Sequence, residues 1–272
     1  MPKIIAVIPV FNEAKTLADV LGRISSQVDI LVCVNDGSTD KSLSMLEDFA
    51  RKRKNTYIVD RPLNGGMAGA LKSGFLFVLY LEKIMVVAGG DIVVTIDADG
   101  QHKPEYIDEI VKYFIVRKAD VVLTRRDFSV YPLYKILGNR FLTWTNSLLS
   151  GVKYNDVESG LRFLKIKTLR PILNFYTGVR YSCAQEIALI SAGLGFKIDN
   201  DFQVGIAYYR PGTTLGDGFI VLFMSVLTYF RLKLHINSKL NLNESLMEQS
   251  YSRSKGFWRR DQKKRRTVKN GS

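Results

Sequence analysis

The acidic stretch VVTIDADGQH, residues 93–102, carries the residue types in this sequence best suited to chemistry. Asp97 and Asp99 follow an apolar, β-prone run, and the amide of Gln101 comes two residues later. Two carboxylates this close repel each other unless a positive charge lies between them. Carboxylate and amide oxygens suit Mg²⁺ or Mn²⁺ that bridges a diphosphate. The spacing therefore predicts a metal site, and the alternative is an exposed turn whose aspartate caps the helix that begins near Pro104.

His102 ends the same stretch and is one of two histidines in the chain. A single histidine on a polar turn is more often exposed to solvent than bound to a metal. We therefore expect an exposed side chain at this position, with metal ligation as the alternative.

The segments around this stretch alternate between two kinds of pattern. Continuous apolar runs predict strands, and segments with apolar residues three and four apart predict helices between them. Strands that are apolar on both faces indicate a mostly parallel sheet covered by helices on both sides, an α/β fold. Polar pairs follow three of the strands, at Asn12-Glu13, Asn35-Asp36 and Asp97-Asp99. Because ligands of open α/β sheets bind at the carboxyl ends of the strands, these residues are predicted to share one site.

Composition limits the class of protein. The chain has 272 residues, of which 46% are hydrophobic, and this is enough for a large α/β domain with a buried core. Cys33 and Cys183 lie in apolar segments without disulfide, metal or redox spacing. The N-terminal residues lead directly into a strand, so no signal peptide is expected. These features predict residence on the cytosolic side.

The positive charge is concentrated at the C-terminus. The formal net charge is +13, and residues 253–272 contain nine Lys or Arg against the single acid Asp261. Such a segment is typical of a flexible tail that binds an anionic surface. A nucleic-acid-binding protein is the alternative of another class, but no RNA-binding aromatic motif accompanies the charge.

Five motifs occur in an order that identifies a family resemblance: VIPVFNE, VNDGSTD, NGGMAGALKSG, DADGQHKPE and DVESGLRFLK. Over residues 3–215 the chain resembles the inverting family 2 glycosyltransferases of the GT-A fold, and within them the dolichyl-phosphate mannose and glucose synthases. The resemblance implies metal-dependent transfer of a hexose from a nucleoside-diphosphate sugar, of the GDP-mannose or UDP-glucose type, to a polyprenyl phosphate.

The resemblance also implies roles for individual residues on the donor side. The first motifs hold the base and ribose in that family, and a carboxylate at a strand end can accept hydrogen bonds from both. The donor-binding residues carried over are Pro9, Asn12, Glu13, Asp36, Asn64, Gly66 and Asp97.

On the acceptor side, Arg125 and Arg126 follow the fifth predicted strand, and in the resembling synthases an arginine here meets the acceptor phosphate. A planar guanidinium suits that task. Only one of the two is expected to act, because neighbouring strand residues point to opposite faces. Arg210 belongs to a C-terminal loop that resembles the family's acceptor loop.

Asp156 and Arg162 complete the predicted catalytic set. A sugar hydroxyl acceptor, such as one on a lipid-linked glycan, needs a general base, and Asp156 occupies the position that the family pattern suggests. A lipid phosphate is already largely ionised near neutral pH, since its second pKa is about 6. Asp156 would then orient the acceptor or hold Arg162.

Three regions are predicted along the chain. Residues 1–216 form the GT-A domain, with 1–124 as its donor half and 125–216 as its acceptor half. Residues 217–236 form an apolar helix at a membrane interface, and 237–272 form the flexible basic tail. The protein is therefore expected to attach peripherally to the cytoplasmic face of an anionic membrane. The helix could instead pack as core.

Overall fold

A computed structural model describes residues 1–208, 214–236 and 247–255 of the chain. The strands are β1 Ile4–Val10, β2 Ile30–Asp36, β3 Thr56–Arg61, β4 Ile92–Thr95, β5 Val121–Leu123, β6 Arg125–Arg126, β7 Arg162–Lys165, β8 Ile198–Asp199 and β9 Gln203–Val204. The helices are α1 Leu17–Ser25, α2 Ser42–Lys52, α3 Gly66–Lys83, α4 Tyr106–Arg117, α5 Leu133–Ser150, α6 Ile166–Leu173, α7 Cys183–Gly193 and α8 Leu215–Lys233. A further helical segment spans 247–255.

The central sheet has seven strands in the order β3-β2-β1-β4-β7-β5-β8, and its pairs are parallel except where β7 pairs with β4 and β5. All seven residues of β2 are buried, as a strand covered on both faces requires. One core joins the sheet to α1, α2 and α4, and the other joins it to α3, α6 and α7. The prediction of a mostly parallel α/β sheet is confirmed.

The antiparallel strand β7 determines where the site lies. Its first residue, Arg162, pairs with Thr95 on one side and Leu123 on the other. The Thr95 hydroxyl also donates to the carbonyl of Gly160, at 2.7 Å. Because Thr95 ends β4, this register holds Arg162 beside the acidic stretch, although 60 residues separate the two in sequence.

The acceptor half continues into α8, beyond the predicted bound at residue 216, and its helices α5 and α8 complete the site. α8 begins with a capping box between Thr214 and Asp217, and it packs against both α5 and α7. Val221 and Met224 are buried, whereas Phe219 and Phe223 remain exposed on the other side of the helix. α8 is therefore partly core and partly surface. Within the described residues, no helix combines the length and apolarity needed to span a bilayer.

The helical segment 247–255 differs from the predicted flexible tail. Tyr251 stacks on Tyr57 of β3 with ring centroids 5.7 Å apart, and the Ser254 hydroxyl accepts from the backbone N–H of Ile58 at 3.2 Å. β3 lies at the edge of the sheet and has an unpaired backbone side. The segment therefore covers that edge, and charge composition does not reveal this tertiary contact.

Candidate active site

The end of β1 and the loop after β2 form the first wall of the site. Asn12 has a left-handed φ of 54°, and its side-chain oxygen accepts from the backbone N–H of Thr39 at 2.8 Å. The backbone N–H of Glu13 donates to the Ser42 hydroxyl at 3.0 Å. The predicted donor residues after β1 thus lie against the loop after β2. Pro9 is within β1, beside Val34 of β2.

Asp36 is buried at the end of β2, and its carboxylate is held by the loop before α3. It accepts from the backbone N–H of Gly65 at 3.1 Å and from the guanidinium of Arg61. A side chain at Gly65 would collide with that guanidinium. The structure therefore brings Asp36 next to the loop that contains Asn64 and Gly66, as predicted.

Arg61 is a residue that the sequence reasoning missed. It ends β3, and β3 lies beside β2 in register, with Arg61 opposite Asp36. The available signal was a charged pair, VDR, at the exit of a predicted strand. Any group that binds the Asp36 carboxylate must share it with Arg61.

The acidic stretch leaves β4 and lies at the centre of the site. The backbone N–H of Gln101 donates to the Asp99 carboxylate at 3.0 Å, and the side-chain amide of Gln101 donates to the same carboxylate. Burial and the charge of Asp99 raise the pKa of Asp97 above its usual range. Gly160 lies so close to Asp97 that a larger residue would collide with the carboxylate.

The acidic stretch offers oxygen ligands for a divalent metal ion. In the part of the chain that the structure describes, no group of three or more His, Cys, Asp or Glu side chains forms a metal centre. Asp97, Asp99 and Gln101 nevertheless line one cavity, and they offer two carboxylates and an amide oxygen. The mutual repulsion of the two carboxylates is the kind of energetic cost that a divalent cation removes. The residues present fit Mg²⁺ or Mn²⁺.

The expectation of an exposed His102 is wrong. Its side chain is 5% exposed, with Nε2 at 4.0 Å from the carboxylate of Asp97. The physical reason is a bridge between His102 and Ile206, by which residues 203–208 fold back over the turn. Burial and the charge of Arg126 lower the pKa of the imidazole, so His102 is neutral near pH 7.

Arg126, and not Arg125, faces the site. Arg125 is exposed, whereas Arg126 lines the cavity and forms a two-pronged ion pair with Asp156, at 2.8 Å and 3.0 Å. The backbone N–H of Arg126 also donates to Asp156, at 3.1 Å. The two arginines thus point different ways, and the acceptor role predicted for one of them stays a prediction, which the geometry allows for Arg126 and not for Arg125.

Asp156 is fully enclosed, and its partner is Arg126 instead of the expected Arg162. Burial by itself would raise its pKa, but the charge and hydrogen bonds of Arg126 hold the pKa below its usual value. Asp156 is absent from the cavity lining. A carboxylate in this state positions Arg126 and is poorly suited to take a proton from an acceptor. Asp156 pairs with Arg126, and not with Arg162, because β6 passes directly beside it. The spacing of these residues in the sequence does not reveal that contact.

Glu158 is the second residue that the sequence reasoning missed as a site residue. It lines the cavity, its Oε1 is enclosed without a hydrogen-bond partner among the described residues, and burial raises its pKa to about 7. Arg162 faces the same cavity, and its enclosed Nε also lacks a partner in the described part of the chain. The DVESGLR motif contained both residues, but no sequence rule distinguished Glu158 from Asp156.

One cavity of about 440 Å³ joins these groups. Its polar wall contains the two aspartates of the acidic stretch together with Arg126, Glu158 and Arg162, and it continues along residues of α5 and α8 such as Leu142 and Val221. It therefore connects a prospective metal and diphosphate site to a more apolar channel. Arg210 lies outside the described residues.

Comparison with known proteins agrees with this architecture. The family model described as glycosyl transferase family 2 matches residues 5–172. The chain is 29% identical to the undecaprenyl-phosphate mannosyltransferase of Micrococcus luteus over 209 residues, which cover 74% of this chain and 77% of that protein. It is also 29% identical, over 203 residues, to the UDP-N-acetylglucosamine–dolichyl-phosphate N-acetylglucosaminyltransferase of Methanococcus voltae, with 68% and 78% covered.

The fold has solved counterparts. Glucosyl-3-phosphoglycerate synthase of Mycobacterium tuberculosis, crystallised with Mn²⁺, uridine diphosphate and glucosyl-3-phosphoglycerate, superposes with a TM-score of 0.60. The alignment covers 85% of this chain and 80% of that one at 19% identity, so it supports the fold alone. Because the family model spans more than half of the residues, the chain belongs to glycosyl transferase family 2 and is a glycosyltransferase of the GT-A fold.

Proposed function

We propose that this glycosyltransferase moves a hexose from a nucleoside-diphosphate sugar, of the GDP-mannose or UDP-glucose type, to a polyprenyl phosphate at the cytosolic face of a membrane, with Mg²⁺ or Mn²⁺ as cofactor. The observation that carries the proposal is the single cavity that joins Asp97 and Asp99 to Arg126 and Arg162 and continues between α5 and α8. Relatives named as polyprenyl-phosphate glycosyltransferases support the acceptor class.

Different residues of the chain bind the cation, the nucleoside and the acceptor during the transfer. Asp97, Asp99 and Gln101 would hold the cation, which supplies charge neutralisation to the departing diphosphate. Asp36 and the loop around Asn64 and Gly66 hold the base and ribose on the other side of the sheet edge. Arg162 and Arg126 attract the acceptor phosphate, and its oxygen attacks C1 of the sugar from the face opposite the diphosphate. The configuration at C1 inverts in one step.

The surface around the cavity supports a membrane-bound acceptor. α5 exposes an apolar stripe at helical spacing, and α8 exposes a second stripe beside it. The α5 stripe contains Leu133, Leu137, Phe141, Trp144 and Leu148. The α8 stripe contains Phe219, Phe223 and Phe230. We propose that both lie in the membrane interface, so that a polyprenyl chain reaches the cavity without leaving the lipid.

The basic tail is a second candidate for membrane contact, although residues 256–272 lie outside the described residues. Arg253, the first of the nine cations of residues 253–272, already pairs with Glu47 and with Asp60, the latter at 3.2 Å, and is therefore engaged within the protein. The remaining cations are proposed to bind anionic lipid headgroups. Binding of nucleic acid is the competing use of these charges.

The test is a transfer assay with a panel of radiolabelled nucleotide sugars and polyprenyl phosphate in liposomes. We expect one donor to label the lipid fraction that is extracted into organic solvent, with loss of label in excess EDTA. Label that appears only when a lipid-linked glycan is the acceptor would replace the phosphate with a hydroxyl acceptor. Salt-dependent retention of RNA, without use of any nucleotide sugar, would contradict the proposal.

A further inference from the structure

Glu158 is a half-buried acid whose backbone is fixed and whose carboxylate carries one enclosed oxygen, Oε1, without a partner in the described residues. Its backbone N–H donates to Asp156 at 2.9 Å, and Asp156 in turn is held by Arg126. This chain of contacts fixes the loop between α5 and β7 at the cavity wall. The enclosed Oε1 still has no hydrogen-bond partner in the described residues. A buried polar atom without a partner is costly, so a ligand is the natural source of the missing contact.

Glu186 shows what a structural buried carboxylate looks like in this protein. It is also buried, but it accepts from the backbone N–H of Thr177 at 2.7 Å and from the Ser182 hydroxyl at 2.9 Å. Glu186 fixes a loop and faces no part of the cavity. Glu158 has the opposite properties, because it faces the cavity and its Oε1 has no such partner in the described part of the chain.

The charges around Glu158 place an acceptor phosphate beside it. Arg126 of β6, Arg162 of β7 and Lys135 of α5 are the cations that act on the carboxyl group, and Asp156 is the nearest acid. Asp97, Asp99 and Asp217 of α8 face the same cavity from the other walls. A phosphate drawn to Arg126 and Arg162 must therefore lie close to Glu158. Two anions at that distance repel each other unless they share a proton.

We propose that Glu158 and the acceptor phosphate share one proton in the productive complex, so that Glu158 selects an acceptor that ends in a monoester phosphate. The inference rests on the proposed function and names a specificity residue for it. A carboxylic acid that donates to a phosphate oxygen satisfies the partnerless Oε1 and removes the repulsion. Glu158 is thereby assigned the acceptor role that sequence reasoning considered for Asp156.

The atoms and charges of the transfer balance with this proton. A phosphate oxygen forms the new bond to C1, and the C1–O bond to the nucleoside diphosphate breaks, with its electron pair leaving on the diphosphate. The acceptor dianion becomes a diester with one negative charge, and the proton stays on Glu158. The same complex can be written with an ionised Glu158 that receives the proton from a phosphate monoanion. Both descriptions contain one proton and predict the same pH dependence.

The pKa of Glu158 and the second pKa of the acceptor phosphate are close to each other. Burial raises the pKa of Glu158 to about 7, and the second pKa of a phosphate monoester is about 6. A proton is shared best between groups of similar pKa. As the pH rises above about 7, the shared proton is lost, and wild-type kcat/KM for the acceptor is expected to fall by roughly tenfold per pH unit.

The variant test uses farnesyl phosphate as a soluble acceptor and the full chain with its donor and Mn²⁺. Glu158→Gln keeps a neutral hydrogen-bond donor at every pH. We expect this variant to lose the alkaline fall and to match or exceed wild-type kcat/KM at pH 8.5. Glu158→Ala, which has no donor, should lose the alkaline fall and also raise the acceptor KM by about tenfold. A Glu158→Gln profile identical to wild type would overturn the inference.

A measurement on the wild-type protein avoids dependence on any variant. Titration calorimetry of farnesyl phosphate into the donor-nucleotide complex, in two buffers of different ionisation enthalpy at pH 7.5, should show proton uptake on binding. Absence of uptake would overturn the inference. A loss of 10²–10⁴-fold in kcat at every pH for Glu158→Gln would also overturn it, since that loss marks a general base for a hydroxyl. Failure of the wild type to use farnesyl phosphate or long-chain polyprenyl phosphate at any pH would instead overturn the proposed function itself.

Discussion

The donor edge of the sheet and the acceptor cavity differ in how their buried polar groups are satisfied. At the donor edge, Asp36 is held by Arg61 and Gly65, and the amide of Asn35 donates to Asp60 at 2.7 Å. In the cavity, Glu158 and Arg162 retain enclosed atoms that lack partners among the described residues. The polar groups of the donor edge are thus held by its own side chains, whereas the cavity keeps two polar atoms that no described residue satisfies.

The two halves also differ in how their exposed apolar residues are arranged on the surface. The acceptor half exposes two adjacent apolar stripes on α5 and α8, whereas exposed apolar residues of the donor half, such as Leu63 and Met85, are scattered. Scattered apolar residues are ordinary on protein surfaces, but a contiguous patch indicates an interaction site. The unsatisfied cavity and the apolar surface therefore belong to the same half, as expected if one acceptor carries both a charged head and a lipid chain.

The largest effect should come from the carboxylates between the two halves. Asp99→Ala removes one of the three predicted metal ligands, and we expect transfer to fall by roughly 10²–10³-fold, with the same loss in excess EDTA. Asp108→Asn, an exposed carboxylate on α4 that pairs with Lys112, is the matched control. Full activity of the wild type in EDTA would show that the site works without a metal.

Breaking the Arg126–Asp156 pair should have the next largest effect. Asp156→Asn leaves the Arg126 charge enclosed without its partner, and we expect the free energy of unfolding to fall by about 3 kcal/mol. The acceptor KM should rise because Arg126 is no longer positioned. Asp120→Asn is the control, since Asp120 forms more exposed pairs with Lys165 and Lys167 that are worth about 1 kcal/mol or less. If kcat collapses while acceptor KM and stability are unchanged, Asp156 is a general base after all.

Glu158 should make stability depend on pH with a defined sign. Its folded pKa of about 7 exceeds the ordinary value of 4.5, so the unfolded chain loses this proton first and stability falls as the pH rises from about 4.5 to 7. Glu158→Gln should therefore stabilise the protein by about 1–3 kcal/mol at pH 8 and have little effect at pH 4.5, measured by urea unfolding.

Glu105 is a control residue, because its contribution to stability should change with pH in the opposite direction. A hydrogen bond from Arg23 lowers its pKa, so its contribution to stability is present at neutral pH and is lost as the pH falls through the folded pKa. Glu105→Gln should thus slightly destabilise the protein at pH 8. If Glu158→Gln also destabilises it there, the carboxyl group is satisfied in solution and the contrast between the two halves is weaker than the structure indicates.

The apolar stripes of α5 and α8 should contribute to membrane attachment separately from the basic tail. We expect the double variant Phe141→Ser and Trp144→Ser to weaken binding to anionic liposomes by about tenfold or more, because it removes apolar area from the interface. Donor binding should be unchanged. Leu63→Ser, an exposed apolar residue of the donor half, is the matched control. Equal loss of binding in both proteins would remove the distinction between the two surfaces.

The smallest effect should come from Arg253 at the donor edge. Its pairs with Glu47 and Asp60 are partly exposed, so Arg253→Ala should cost less than about 1 kcal/mol of unfolding free energy. Tyr251→Ala should cost more, since Tyr251 stacks on Tyr57 and covers the edge strand. Equal effects of the two variants would show that charge, and not packing, holds segment 247–255 in place.

The sequence by itself determined the parallel sheet and the donor edge. Short apolar runs between helical segments indicate interior strands, and the turns at their carboxyl ends must then meet at one edge, which is why Asp36, Asp97 and Asp99 could be predicted to lie along the same edge. These are local consequences of pattern, since each depends on one strand and the few residues that follow it.

Only the tertiary structure decided which charges are paired and which are left for a ligand. The antiparallel insertion of β7 places Arg162 beside β4, the passage of β6 joins Arg126 to Asp156, and the bridge to Ile206 buries His102. Two-residue strands such as β6 and β9 carry no periodicity that a sequence could reveal. Burial and pairing set the pKa of a carboxyl group, so the sequence could name Asp156 and Glu158 together, but only the fold shows that one holds an arginine and the other faces the cavity.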